Sequence, residues 1–252
     1  MNLESISIAP DGTHHRLDGQ PLYQPRFGQV LKFHPPGLAA VSDSSGSYHI
    51  TPAGRPAYGH RYSATFGFYG GRAVVHDESG WFHILKSGLP LYRERYAWCG
   101  NYQQERVPVR DQAGLYYHLD ADGKRVYQKA YLYAGDYRDG IACVRQTAGL
   151  CTHIDFFGIP VHAGYYLDLD VFHKGFARAR DYRGWCHIRA DGKPAYTARF
   201  EEIEAFYNGQ AFARTLEGDR VLLNESGAII HVVWHCVAIA APDGQRGKTA
   251  RT

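Results

Sequence analysis

The sequence has no apolar run that approaches the roughly 18 residues of a membrane-spanning helix. Clustered cations are also missing: lysine and arginine never form a run longer than two or three residues, and the formal net charge is only +3. Because phosphate backbones are bound by clustered cations, we expect no nucleic-acid partner. The first residues lack the charged-then-apolar pattern of a secretory signal, which predicts a cytoplasmic protein with no membrane partner.

Paired cysteines and recognised catalytic motifs are absent as well. The five cysteines form no C-x-x-C pair, so neither a disulfide framework nor a zinc site is expected. We expect five free thiols, most of them buried. The chain contains no G-x-S-x-G, P-loop or H-E-x-x-H motif, and its short acidic segments supply too few ligands for a calcium loop. We therefore expect no cofactor.

Aromatic residues and glycine are abundant instead. The chain has 19 tyrosines, 12 phenylalanines, 4 tryptophans and 28 glycines. Aromatic side chains favour strands and glycine favours turns, and few segments show an apolar stripe at helical spacing. This composition predicts an all-β protein.

An internal repeat of about 35 residues runs through the chain. It is marked by a column of histidines spaced 34 or 35 residues apart, and a seventh copy has Leu222 in place of histidine. Glycine follows each histidine by four or five residues, and tyrosine usually follows by nine. The repeats start near His15, His49, His83, His118, His153 and His187.

One unit predicts a three-stranded antiparallel meander. In the segment 72–96, strands are expected over 73–76, 81–84 and 89–92, separated by turns that end in glycine. Large rings alternate onto both faces, so each small sheet must be covered by its neighbours. We expect six such repeats in one domain, 1–240, arranged as a β-propeller-like ring. The alternative is an open β-solenoid of stacked hairpins.

Both ends of the domain carry expectations of their own. A hairpin over 220–233 would close the ring, or would cap the solenoid in the alternative. The polar, basic segment 241–252 is predicted to be a disordered tail.

The repeat resembles the bacterial WG or KWG β-repeat. The segments GWFHILKSGLPLY and GWCHIRADGKPAY keep the Gly-Trp pair and the glycine-containing hairpin turn, whereas other units depart from the pair. The resemblance covers about residues 14–233. The sequence is also similar to the repeat region found ahead of some S-adenosylmethionine methyltransferase domains. The resemblance implies β-repeats with a binding or scaffolding role, and it brings no catalytic residue set.

The histidine column suggests two roles. Each imidazole could bridge its strand to a neighbouring turn by hydrogen bonds, which is the packing role expected of a residue that recurs in every repeat. The alternative is a metal site near a ring axis, since histidine is the commonest nitrogen ligand. Its ligands would be His49, His83, His118, His153 and His187.

The fourth unit, counted from His49 and therefore beginning at His153, departs most from the repeat and supplies the candidate ligand-binding residues. His162 replaces the tyrosine of the column, and Asp168, Asp170 and His173 follow closely. An acid–histidine set can transfer protons or bind a cation.

We therefore predict a non-catalytic binding or accessory module that offers an aromatic-rich surface to a small molecule, a peptide or a partner protein. The alternative is an enzyme, a hydrolase or lyase that acts with or without a metal ion, with its site at the fourth unit.

Overall fold

The computed structural model describes residues 2–236 and shows an all-β protein. Within that range the only helix is a single 3₁₀ turn, Leu3–Ser5, and no helix is long and apolar enough to cross a membrane. All five cysteines are free, and all but Cys236 are buried. The segment 241–252, for which disorder is predicted, lies outside the described residues.

Within residues 2–236, twenty-two strands form seven small antiparallel sheets in chain order. The first three sheets contain β1 Ile6–Ile8, β2 His15–Leu17, β3 Gln20–Pro21; β4 Gln29–His34, β5 Leu38–Asp43, β6 Gly46–Ile50; β7 Ala64–Tyr69, β8 Arg72–Asp77, β9 Gly80–Leu85. The next three contain β10 Trp98–Cys99, β11 Val107–Arg110, β12 Tyr116–Leu119; β13 Tyr133–Ala134, β14 Ala142–Arg145, β15 Cys151–Ile154; β16 Asp168–Leu169, β17 Phe176–Asp181, β18 Gly184–Arg189. The last contains β19 Glu202–Ile203, β20 Gln210–Arg214, β21 Arg220–Asn224 and β22 Ile229–Trp234.

The strands of one sheet are not those that the sequence predicts for one unit. The hairpin β8–β9 agrees with the prediction, with continuous pairing from Arg72–Leu85 to Asp77–Gly80. The third predicted strand, 89–92, is wrong: it is reduced to one bridge between Ile84 and Pro90. The chain then leaves this sheet and supplies the short first strand of the following sheet. Because each unit begins the next sheet in this way, six repeats and the final hairpin give seven sheets.

Neighbouring sheets cover each other's apolar faces. Phe82 and Ile84 are buried together with Tyr62, which belongs to the preceding linker. Between sheets, the glycine that follows the repeat histidine lies against a ring one unit earlier in every repeat after the first; a Cβ on Gly88 would come within 2.4 Å of the Tyr58 ring. This close approach explains why glycine recurs at that place from Gly54 onwards.

The last sheet differs from the others because its outward face is uncovered. Phe212 is 38% exposed, whereas the equivalent Val74 and Cys143 in earlier sheets are buried. Leu222 stands where the other sheets have histidine, and β22 pairs along the length of β21 instead of folding inwards. All six residues of β22 are exposed.

Candidate functional site

The repeat histidines hold neighbouring sheets together. His83 is fully buried; its Nδ1 accepts a hydrogen bond from the Tyr92 hydroxyl, and its Nε2–H donates to the Gly100 carbonyl at 2.9 Å. The same two-sided arrangement recurs in every repeat. The pairs of Nδ1 and Nε2 partners are Tyr23 and Leu31 for His15, Tyr58 and Phe66 for His49, Tyr127 and Gly135 for His118, His162 and Asp170 for His153, and Tyr196 and Glu204 for His187.

This arrangement leaves the imidazoles neutral and fully engaged. The lone pair of Nδ1 accepts one hydrogen bond and Nε2 carries the proton of the other, so no nitrogen is left for a metal ion. Among residues 2–236, no group of three or more His, Cys, Asp or Glu side chains is arranged to hold a metal. Burial lowers the pKa to about 4 for five of these histidines: His49, His83, His118, His153 and His187.

The lowered pKa values predict acid sensitivity. Between pH 6.5, the ordinary histidine pKa, and about 4, the unfolded chain binds protons that the folded chain does not. The free energy of unfolding should therefore be constant above this window and fall as the pH drops through it. The urea midpoint measured at pH 8, 7, 6 and 5 tests this, because surface carboxylates remain ionised over that range. An unchanged midpoint down to pH 5 would contradict the assignment of neutral buried histidines.

In the fourth unit, His162 takes over the role of the tyrosine. Its Nε2 lies 2.8 Å from Nδ1 of His153, and its Nδ1 accepts from the Gly164 backbone N–H at 3.1 Å. His162 is buried, with its pKa lowered by that burial. The replacement thus preserves the packing of the repeat.

The other predicted residues of this unit are held by separate partners. Asp170 forms an ion pair with Arg178, and Asp168 lies 3.7 Å from Arg145. The backbone of His173 pairs with Phe176 at the next turn. Within the described chain, no hydrogen bond or ion pair joins the side chains of the four predicted residues, His162, Asp168, Asp170 and His173, to one another. The one link is indirect: His153 bonds the His162 ring through Nδ1 and the main-chain carbonyl of Asp170 through Nε2.

A set of aromatic rings, which we call the aromatic strip, lies on the first and third strands of the third, fourth and fifth sheets. Its members are Phe66, Trp81, Trp98, Tyr116 and Tyr133. Ring centroids lie 5.7 Å apart for Phe66 and Trp81, 6.0 Å for Trp98 and Tyr116, and 5.8 Å for Tyr116 and Tyr133. Phe66 and Trp98 are each 37% exposed and Tyr133 is 50% exposed, so solvent reaches the ring surfaces. The strip offers stacking surface that the core does not use.

An arginine column runs beside the strip. Its members lie at or next to the end of the second strand in each of the last four sheets: Arg110, Arg145, Arg180 and Arg214. Across the strand pair each arginine faces one residue of the first strand, namely Trp98, Tyr133, Asp168 and Glu202 in that order. The first-strand residues that face the arginines are therefore aromatic in the fourth and fifth sheets and acidic in the last two.

The acidic end of this row of first-strand residues opens into a cavity of about 990 Å³ beside the last two sheets. Trp185, Phe212 and Trp234 supply its apolar wall. Arg178, Arg214, Arg220, Glu201, Glu202 and Glu204 supply its charges. Arg178 connects the cavity to the fourth unit, because its guanidinium bonds both Asp170 and the Ile203 carbonyl.

Sequence reasoning did not find the aromatic strip. The aromatic columns that keep step with the repeat are buried, whereas Trp98 and Tyr133 occupy a position that later units fill with Asp168 and Glu202. That change of residue type within one column is the signal in the sequence.

Comparison with known proteins gives a likeness of fold. No protein-family model matches the chain, and no curated protein matches it. The chain is similar to the crystal structure of a eukaryotic initiation factor, with 8% identity and a TM-score of 0.50, over 84% of this chain and 67% of that one. It is also similar to the computationally designed Ika8 protein (13% identity, TM-score 0.45, 90% of this chain and 82% of that one) and to BamB from Moraxella catarrhalis (14% identity, TM-score 0.45, 78% and 67%). At these identities the comparisons bear on a propeller-like β-repeat fold and on no activity.

Proposed function

We propose that this protein is a non-catalytic binding or accessory module whose ligand docks on the aromatic strip. The observation that carries the proposal is the contiguity of Trp98, Tyr116 and Tyr133, whose rings touch while remaining open to solvent. Exposed large aromatic surface is costly to leave in water and is typical of binding sites. The ligand classes considered are a small molecule, a peptide or a partner protein.

The proposal separates scaffold from surface. Packing between sheets uses the repeat histidines, their tyrosine partners and the turn glycines. These residues therefore form a rigid frame. Rigid frames that carry variable exposed residues are a common basis for recognition. The resemblance to WG-type repeats, which implies a binding or scaffolding role, agrees with this division.

We further propose that the seven sheets follow one another around an axis in propeller-like order, with their first strands innermost. In that order the first-strand rings Phe66, Trp98 and Tyr133 lie nearest the axis, where a ligand can meet several units at once. The uncovered face of the last sheet, marked by exposed Phe212, makes the array an open arc.

The enzyme alternative has less support from the geometry. Asp168 lies 3.7 Å from Arg145, Asp170 forms an ion pair with Arg178, and His162 is buried against His153. None of these groups is held as a proton donor or acceptor towards an open cleft.

Binding should depend on the aromatic strip. A panel of defined peptides and oligosaccharides screened by ligand-observed NMR should yield a ligand whose affinity falls at least about tenfold in Trp98→Ala and Tyr133→Ala, the loss expected for one stacking contact. Phe157→Ala is the matched control, because Phe157 is 72% exposed in a turn away from the strip. Equal loss in the control, or full affinity in both strip variants, would contradict the proposal.

A further inference from the structure

Arg110 differs from Arg145 and Arg214 of its column because, within the described residues, no carboxylate pairs with its guanidinium. Arg145 lies 3.7 Å from Asp168, and Arg214 lies 3.1 Å from Glu201. Within residues 2–236, Arg110 forms no ion pair or side-chain hydrogen bond, and its Nε is buried without an acceptor. Arg180 also lacks an ion pair, but it is exposed, so water can hydrate it.

The missing partner can be identified by comparing sheets. The carboxylate that approaches Arg145 belongs to Asp168, the first-strand residue of the following sheet. The equivalent residue for Arg110 is Tyr133, the first-strand residue of its own following sheet. The residue directly opposite Arg110 is Trp98, and Tyr116 faces it from the other side, with its ring 6.0 Å from the guanidinium. Aromatic rings thus surround Arg110 where the carboxylate of Asp168 approaches Arg145.

We propose that Arg110, Trp98, Tyr116 and Tyr133 form a binding site for a ligand that joins a carboxylate to a ring able to stack on aromatic side chains. The inference rests on the proposed function and specifies its ligand chemistry: the ligand supplies the carboxylate that Asp168 supplies to Arg145 in the next unit.

The chemistry of the site fits both halves of such a ligand. A guanidinium offers two parallel N–H groups that match a carboxylate, and the bond is strengthened where neighbouring rings reduce access of water. The exposed faces of Trp98 and Tyr133 provide stacking surface for the ring that bears the carboxylate. Aryl carboxylates and sugar carboxylates share this chemistry, so both are represented in the test.

The experiment compares each acid with its neutral analogue. Dissociation constants of phenylacetate, phenylacetamide, glucuronate and glucose are measured by ligand-observed NMR at fixed ionic strength. One of the two acids should bind at least about tenfold more tightly than its neutral analogue, as expected for a charge-assisted bond. Which of them does so distinguishes the aryl from the sugar source.

Matched variants locate the contact. Arg110→Gln should abolish the preference for the acid, whereas Arg180→Gln, in the same column beside Asp168, should leave it unchanged. Tyr133→Asp places next to Arg110 the acid that Asp168 provides next to Arg145, and it should eliminate binding of the acidic probe. Tyr133→Asn, which removes the same ring without adding a charge, should weaken binding but keep the preference. Identical melting temperatures of Arg110→Gln and the parent exclude an effect through folding.

The outcomes separate this inference from the proposed function. If acid and amide bind equally and both are lost in Trp98→Ala, the aromatic strip binds ligands but the carboxylate site is overturned. A preference for the acid that persists in Arg110→Gln also overturns it. If no probe binds up to its solubility limit, the carboxylate site is overturned, while the peptide and oligosaccharide screen still decides the proposed function.

Discussion

Replacing Gly88 by alanine should lower the free energy of unfolding by about 2–5 kcal/mol, the sum of backbone strain and overpacking. The backbone at Gly88 has φ +79°, a conformation that side chains disfavour. In addition, the new Cβ would come within 2.4 Å of the Tyr58 ring, which is itself packed between two sheets. Denaturant unfolding of parent and variant gives the difference.

Gly114 provides the control that separates the two causes. It has nearly the same backbone, φ +84°, but nothing lies within 4 Å of the position that its Cβ would occupy. Gly114→Ala should therefore cost only the strain, about 1–2 kcal/mol. If both variants lose the same stability, contact between the turn glycine and the ring one unit earlier does not hold the sheets together.

Replacing His83 by alanine should lower the free energy of unfolding by about 3–5 kcal/mol, because it leaves a buried cavity and two polar groups without hydrogen-bond partners. The imidazole is fully buried, and its removal leaves the Tyr92 hydroxyl and the Gly100 carbonyl without their partner. Those two groups belong to the linker and to the following sheet, so the loss weakens the junction between units as well as one strand.

His60→Ala is the appropriate comparison, since His60 is exposed and should change stability by less than about 0.5 kcal/mol. Equal stability of parent and His83→Ala would show that the histidine column does not serve packing. A loss of ligand binding by a stable His83→Ala variant would place the functional site in that column.

The repeat and the all-β class follow from the sequence because they depend on periodic residues. The nine-residue spacing of His83 and Tyr92 already contains the contact that the structure shows. The boundaries of the sheets do not follow, since each first strand, such as β10, is contributed by the linker of the preceding unit. The two residues of β10 carry no alternation from which a strand could be inferred.

The aromatic strip could not be predicted from the sequence for a related reason. Whether Trp98 is buried or exposed depends on the pairing of β10 with β11, and that register is set by the fold and not by local pattern. The departures in the fourth unit were visible, but departure alone does not distinguish a binding residue from a compensated one. His162 illustrates this, because it replaces a tyrosine and makes the same contact to the repeat histidine.

The central claim, that the strip around Trp98 is the ligand-binding surface, is tested most directly by the indole N–H resonances of the four tryptophans. In a ¹⁵N-labelled sample titrated with phenylacetate or glucuronate, whichever binds more tightly, the Trp98 resonance, assigned through Trp98→Phe, should shift most. The shift should disappear in Arg110→Gln, while the resonances of Trp185 and Trp234, which line the cavity at the last sheets, stay in place. Shifts confined to Trp185 and Trp234, with Trp98 unmoved, would place the site in that cavity and contradict the account.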